Sequence, residues 1–267
     1  RHSFPTRRSS DLGREASLAW SEDVATLALL HDRELTPGLL AGLKAIGFPD
    51  NLGMVPRDET GNQIFEAMRK TVAALPEFPD TAYMDNLAAD FAAIYLTGAL
   101  DASPFESYWV SDEHLVCQEA MFDMRELYAA DGLAVPDWRL RPDDHLVFQL
   151  QFVAKRLERL ATLTEAENAH LANDHWRSLA TLLDHHLLRW LPDFSSRVSV
   201  RCDTEFYAAL FLLTHVWCEQ LRDLIALHLG ESRPSKEEVD ATLRPKHLDE
   251  VKAVPVQFMP GIGGPSW

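Results

Sequence analysis

The stretch that decides the fold is residues 103–151, SPFESYWVSDEHLVCQEAMFDMRELYAADGLAVPDWRLRPDDHLVFQLQ. It contains two segments led by a proline, at residues 103–109 and 141–146, and each runs toward apolar residues at helical spacing. Proline favours extended geometry in the residue before it and is common at the start of a helix. Each segment is therefore predicted to fix the start of a helix, and both are candidates for the functional site.

Apolar residues at helical spacing also occur along the rest of the chain. No segment alternates apolar and polar residues as a half-buried strand does, and no internal repeat is present. The sequence therefore predicts an all-α fold, a single globular multi-helix bundle with its most apolar helix at the centre. The predicted helices cover residues 15–31, 37–46, 58–75, 81–97, 111–130, 143–163, 164–191, 204–229 and 235–243.

Local sequence signals set the predicted ends of these helices. Ser111 or Asp112 is predicted to cap the helix that follows the first proline-led segment. Pro192 is predicted to end the helix before it, because proline lacks the N–H that a continuing helix needs. Two capping boxes, in which Ser or Thr is followed three residues later by Glu, are predicted to open helices at residues 164–167 and 235–238.

The composition restricts the classes of partner. The 267 residues carry a formal net charge of −16, which repels phosphate backbones, so no nucleic acid partner is expected and a cationic partner is favoured. Hydrophobic residues make up 46% of the chain, enough for a sizeable core, but no run of about 18 apolar residues occurs, so no membrane span is predicted. The three cysteines lack metal or disulfide spacing, which favours a reducing compartment, and we expect a cytoplasmic protein.

The sharpest polar pair is Asp144 next to His145. A carboxylate beside an imidazole is half of a catalytic triad, so one alternative is a small hydrolase or nucleotide-using enzyme built on this helix start. The structural alternative is that Asp143 or Asp144 caps the helix. No Gly-x-Ser-x-Gly nucleophile motif is present and no set of metal ligands is in register, so neither a metal nor a cofactor is expected.

The first proline-led segment mixes aromatic rings with carboxylates. Phe105 and Trp109 provide apolar surface. If the two proline-led segments meet, the side chains of Glu106, Asp112 and Glu113 would form an acidic rim around a groove, together with the carboxylate of the second segment. Such a surface suits a partner that is partly apolar and partly cationic. The alternative is that the rings belong to the core.

Three motifs in this order give the chain a resemblance to a known family. They are DFAAIY at residues 90–95, PFESYW at 104–109 and RPDDHL at 141–146. With this spacing the chain resembles the TorD/DmsD family of redox-enzyme maturation chaperones, over roughly residues 87–229. Arg141 stands where that family has Glu, so the contribution of this one position differs.

The resemblance implies a cytoplasmic chaperone of all-helical fold without catalytic residues. It implies binding of the twin-arginine signal peptide and the apo form of a molybdenum-cofactor oxidoreductase, and assistance with cofactor insertion before export. A monomer or homodimer is expected. A third alternative is a structural subunit held in a permanent complex by the apolar helical segment 206–229. The positions that the resemblance implies for signal-peptide binding are Tyr95, Pro104, Phe105, Trp109, Pro142, Asp144 and His145.

The expected organisation is one chaperone domain with two flanking segments. Residues 1–12 look like the conceptual translation of a sequencing adapter and are excluded from the predicted fold. Residues 13–230 form the predicted TorD-like domain, with a linker near 133–142. Residues 231–267 are expected to form a short helix and a tail rich in Pro and Gly, which is disordered, packs on the core, or occupies the client groove.

Overall fold

The computed structural model describes residues 9–163 and 165–243, and over these ranges the fold is all-α, as predicted. Most of the adapter-like segment and the tail after residue 243 lie outside the described part. The helices are α1 (Ser9–Asp32), α2 (Pro37–Ile46), α3 (Glu59–Ala74), α4 (Thr81–Tyr95), α5 (Glu106–Val110), α6 (Glu119–Ala130), α7 (Leu146–Thr162), α8 (Glu165–Leu182), α9 (Leu188–Arg201), α10 (Glu205–Leu229) and α11 (Lys236–Leu243), with a π-helical turn, Leu183–Leu187, between α8 and α9.

Several helix ends follow the predicted signals. Thr36 Oγ1 accepts a hydrogen bond from the Leu39 amide at 3.2 Å and caps α2. The following Gly47 has φ of 71°, a left-handed conformation that favours glycine and ends the helix. The capping box at α11 is confirmed, because the Ser235 amide donates to Glu238 and the Glu238 amide donates back to the Ser235 hydroxyl. The box predicted at residues 164–167 falls outside the described side chains.

The core is built around α10, as expected from its apolar sequence. This helix packs against α3, α8 and α9, and α1 lies along α7. The largest fully enclosed side chains, Trp190, Trp217, Tyr207 and Phe194, come from α9 and α10. The two proline-led segments therefore start their helices on a rigid core. None of the described helices combines the length and apolar content that crossing a bilayer requires.

The predicted helix 111–130 is wrong in its first third. A short helix, α5, precedes it, and residues 111–118 form an irregular turn before α6 begins. His114 and Cys117 have φ of 51° and 58°, which an α-helix does not accommodate. The Ser111 hydroxyl bonds to the Leu115 backbone and so stabilises this turn, where a helix cap was expected.

Pro192 does not end a helix as predicted. It lies inside α9, which continues to Arg201. The π-helical turn lies just before α9, and such wider turns occur where the regular hydrogen-bond ladder of a helix is interrupted. The hydrogen-bond pattern of the helix thus widens just before Pro192, whose backbone has no N–H to donate. The same π-helical turn carries Asp184, His185 and His186.

The cap predicted for α7 is also wrong. The N-cap is His145, whose Nδ1 accepts a hydrogen bond from the Val147 amide at 3.1 Å. The two aspartates are engaged elsewhere: Asp143 pairs with Arg125 at 2.7 Å, and Asp144 accepts from the Ser107 amide at 2.8 Å.

Candidate functional site

The two proline-led segments meet in an antiparallel backbone bridge between Phe105 and His145. The Leu146 amide donates to the Pro104 carbonyl at 2.9 Å, and the Glu106 amide donates to the Asp144 carbonyl at 3.1 Å. Asp144 adds the side-chain bond to Ser107, so each segment fixes the other. The starts of α5 and α7 are held together by peptide groups and one carboxylate.

Aromatic rings surround His145 at this junction. The ring centroid of Phe105 lies 5.2 Å from that of His145, and those of Tyr95 and Phe148 lie 6.2 Å from it. His145 is only 3% exposed, whereas the other three rings are half-buried. We call these four side chains the aromatic cup. Arg141 lies beside the cup, with its guanidinium over the Phe148 ring at 5.6 Å.

A buried hydrogen-bond chain fixes the position of Tyr95. The Thr214 hydroxyl donates a hydrogen bond to the Leu210 carbonyl. The Thr214 oxygen is therefore the acceptor of the hydrogen bond with His31 Nε2–H, at 2.8 Å. His31 Nδ1 is then the acceptor for the Tyr95 hydroxyl, 2.5 Å away. Burial lowers the pKa of His31 to about 3, which keeps this imidazole neutral. The Tyr95 hydroxyl therefore points into the core.

Burial also lowers the pKa of His145 well below its ordinary value, and the Arg141 charge adds to the effect. Burial raises the pKa of Asp144. Within the described residues these two side chains do not hydrogen-bond to each other, because Asp144 reaches back to Ser107 and His145 caps α7. The carboxylate–imidazole orientation on which the enzyme alternative rests is not formed.

Trp109 lies outside the cup. Its indole N–H donates to the Ser103 carbonyl at 2.7 Å, and its ring packs 5.8 Å from that of Phe194. The Arg197 guanidinium covers the ring at 4.7 Å. Trp109 therefore joins α5 to α9. Of the two prolines, Pro104 is buried and Pro142 is half-buried.

The expected acidic rim needs correction at Glu106. This side chain is fully buried, bonded to the Gln149 amide at 2.5 Å and to His186 Nδ1 at 3.1 Å. Gln149 in turn accepts from the Trp190 indole at 3.1 Å. Glu106 thus begins a polar chain into the core and cannot form a rim, and Asp144 is enclosed as well. Asp112 and Glu113 are exposed as expected.

A cleft of about 1020 Å³ opens on the other side of α5, and Glu106 lies at its floor. Glu119, Asp123 and Glu126 line one wall, and their spacing places them on one face of α6. We call these three residues the acidic wall. Burial raises the pKa of Asp123; His186 opposes this shift, and the neighbouring carboxylates add to it. Sequence reasoning missed this wall, although its i, i+4, i+7 spacing is a visible signal.

The two arginines of the cleft do not neutralise the acidic wall. Arg156 pairs with Asp131 at 2.5 Å, and Arg189 pairs with Asp240 of α11 at 3.1 Å. Across the part of the chain that the structure describes, the three wall carboxylates have no ion-pair partner. The cleft is therefore a concave surface with uncompensated negative charge.

The comparisons with known proteins agree with the motifs. The model of a family described as nitrate reductase delta subunit matches residues 62–196, just over half of the chain. The chaperone protein TorD of Shewanella loihica is 31% identical over 157 residues, which cover 55% of this chain and 68% of that protein. The chain belongs to the TorD/DmsD family.

Two further TorD/DmsD relatives show how the similarity is distributed. The chaperone protein TorD of Vibrio cholerae serotype O1 is 30% identical over 141 residues, and the match spans 60% of that protein's length. TorD of a Psychrobacter species is 29% identical over 222 residues, which cover 78% of this chain and 90% of that protein. The family match includes all four residues of the aromatic cup but not His31 or the helices α10 and α11.

Proposed function

We propose that this protein is a cytoplasmic chaperone that binds the twin-arginine signal peptide and the apo form of a molybdenum-cofactor oxidoreductase. It assists cofactor insertion and maturation before export, and it acts as a monomer or homodimer. Membership of the TorD/DmsD family and the similarity to chaperone proteins named TorD support this proposal.

The observation that carries the proposal is the backbone bridge between Phe105 and His145. It brings the second and third family motifs into one surface, and Tyr95 of the first motif joins them through its ring. A peptide segment with apolar side chains can bury rings and aliphatic groups in the cup, and burying one aromatic side chain yields up to about 5 kcal/mol. Most of the affinity should therefore come from the apolar part of the peptide.

The arginines of the signal peptide have a separate candidate site. Phe105 faces the cup and Glu106 forms the floor of the cleft, and the Cα atoms of these consecutive residues are about 3.8 Å apart. A peptide that crosses α5 can thus place its apolar stretch in the cup and its guanidinium groups near the acidic wall. Partly exposed ion pairs contribute about 0–1 kcal/mol each and mainly set orientation and association rate.

The test is calorimetric titration with two synthetic peptides, a twin-arginine signal peptide and its twin-lysine variant with the same apolar stretch. We expect tight binding of the first and weaker binding of the second, because lysine lacks the planar bidentate fork of arginine. Binding of neither peptide would refute the proposal.

Matched variants separate the two surfaces. Phe105→Ala should weaken the binding of both peptides equally. Phe78→Ala, which removes an 86% exposed ring in the loop between α3 and α4, should change the binding of neither. Replacing all three acidic-wall residues by their amides should reduce the preference for arginine. A control triple variant with the same change in net charge replaces three exposed acids of α1, α4 and the loop between α3 and α4. These are Glu22, Glu77 and Asp85.

A further inference from the structure

We propose that the imidazole Nε2–H of His145 donates a hydrogen bond to a backbone carbonyl in the apolar part of the bound peptide. This inference rests on the proposed function and deepens it, because it names the chemical group of the ligand that the aromatic cup recognises.

The tautomer of His145 follows from its role as N-cap. Nδ1 accepts the Val147 amide proton at 3.1 Å, so its lone pair is in use and it carries no proton. A neutral imidazole holds its one proton on the other nitrogen, which is Nε2. Burial and the nearby guanidinium of Arg141 keep the ring neutral. His145 is therefore a fixed hydrogen-bond donor at the bottom of the cup.

This donor has no hydrogen-bond partner among residues 13–163 and 170–243. The two nitrogens of an imidazole point in different directions, so Nε2 is directed away from the start of α7. It is not among the polar atoms that are completely enclosed without a partner. A side chain that is only 3% exposed thus retains an open N–H.

The other polar groups in the cup and beside it are occupied. The Tyr95 hydroxyl is bonded to His31, and Arg141 pairs with Asp32 at 2.5 Å. Phe105 and Phe148 have no polar side-chain atoms. Any ligand that fills the cup must offer an acceptor to Nε2–H or leave a buried donor unsatisfied. Apolar side chains have no acceptor, so the backbone carbonyl supplies it.

The same chemistry disfavours a cation in the cup. A guanidinium or ammonium group offers only donors, which cannot bond to Nε2–H, and it would approach the positive charge of Arg141. The cup therefore selects the apolar stretch of the peptide and leaves the arginines to another surface. The direction of the bound peptide across α5 follows from this selection.

The experiment uses a synthetic peptide of two arginines followed by a Leu/Ala stretch, and a set of derivatives with one backbone amide replaced by an ester. The ester carbonyl is a weaker acceptor. For the wild-type chain we expect one ester position to weaken binding by about threefold to tenfold, the loss expected for one weakened hydrogen bond. In His145→Phe that position should have no more effect than its neighbours.

Phenylalanine at this position also removes the N-cap of α7, so a second measurement uses the unchanged protein. In wild-type chain with ¹⁵N-labelled histidine, the Nε2 resonance of His145 should be protonated before binding and should shift when the peptide is added. The inference is overturned if the parent peptide binds but the ester effects are equal in both proteins, or if this resonance does not move. If the parent peptide does not bind the wild-type chain, the proposed function fails as well.

Discussion

Acid should destabilise this protein through His31, and replacing that one side chain should remove a defined part of the effect. His31 is 1% exposed between α1, α4 and α10, and burial lowers its pKa from 6.5 to about 3. The unfolded chain binds a proton here below about pH 6.5, while the native chain does not until about pH 3. The free energy of unfolding therefore falls as the pH falls between these values.

The magnitude follows from linkage. One proton bound only by the unfolded state costs up to about 1.4 kcal/mol per pH unit, and the unfolded histidine is half protonated at about pH 6.5. This histidine alone therefore removes about 2 kcal/mol between about pH 7 and about pH 5. His145 acts in the same direction, because its pKa is also lowered. Asp23 and Asp144 act in the opposite direction, because burial raises their pKa values. These contributions cancel when a variant is compared with the wild type.

The assay is urea unfolding followed by tryptophan fluorescence, at several pH values between about 7 and about 5, for the wild type and His31→Gln. Glutamine retains polar atoms near Tyr95 but does not titrate. The variant should be less stable at neutral pH, and its loss of stability between about pH 7 and about pH 5 should be smaller by about 2 kcal/mol. His170→Gln, at an exposed position of α8, serves as the matched control and should keep the wild-type slope. Equal slopes for wild type and His31→Gln would refute the reasoning.

Three further substitutions test the packing around the site. Asp184→Asn should lower the free energy of unfolding by about 3–5 kcal/mol, because Arg222, 2.8 Å away, is left as a buried charge. Replacing both Asp184 and Arg222 by apolar residues should recover most of this loss, as measured in thermal melts. Asp90→Ala should cost about 2–3 kcal/mol in urea unfolding, since its carboxylate accepts the two amides that precede α10; a loss below about 0.5 kcal/mol would contradict this. Trp109→Ala should weaken signal-peptide binding in calorimetry. It should also lower the melting temperature, because the indole joins α5 to α9, whereas Trp109→Phe should retain most of the stability. An unchanged peptide affinity in Trp109→Ala would remove this residue from the binding surface.

The sequence was sufficient for the features that depend on local chemistry. Helical spacing identified the bundle and its central helix α10, and a hydroxyl or a glycine at a helix end fixed the bounds of α2 and α11. The meeting of the two proline-led segments was only a possibility in the sequence, because their contact joins residues far apart in the chain.

The predictions that were wrong failed because contacts between residues well separated in the chain decide the local structure. The turn at residues 111–118 replaces a helix because the Ser107 hydroxyl holds the Gln118 amide at 3.1 Å, a contact that no local pattern predicts. Glu106 was expected at the surface, yet Gln149 and His186 supply partners that make its burial possible. His186 reaches this carboxylate from the π-helical turn, and spacing alone does not distinguish such a turn from regular helix.

The bridge between Phe105 and His145 has a consequence for how such a surface can change over time. Its register is maintained by main-chain amides and carbonyls and by the carboxylate of Asp144, so the rings that form the rest of the cup do not define its position. Phe105, Phe148 and Arg141 can therefore be exchanged for side chains of other size or charge while the frame remains in place. Under the proposed function, a single scaffold of this type can be retuned to a different client by a few surface substitutions, and a laboratory selection for new client preference would do best to begin with those three positions.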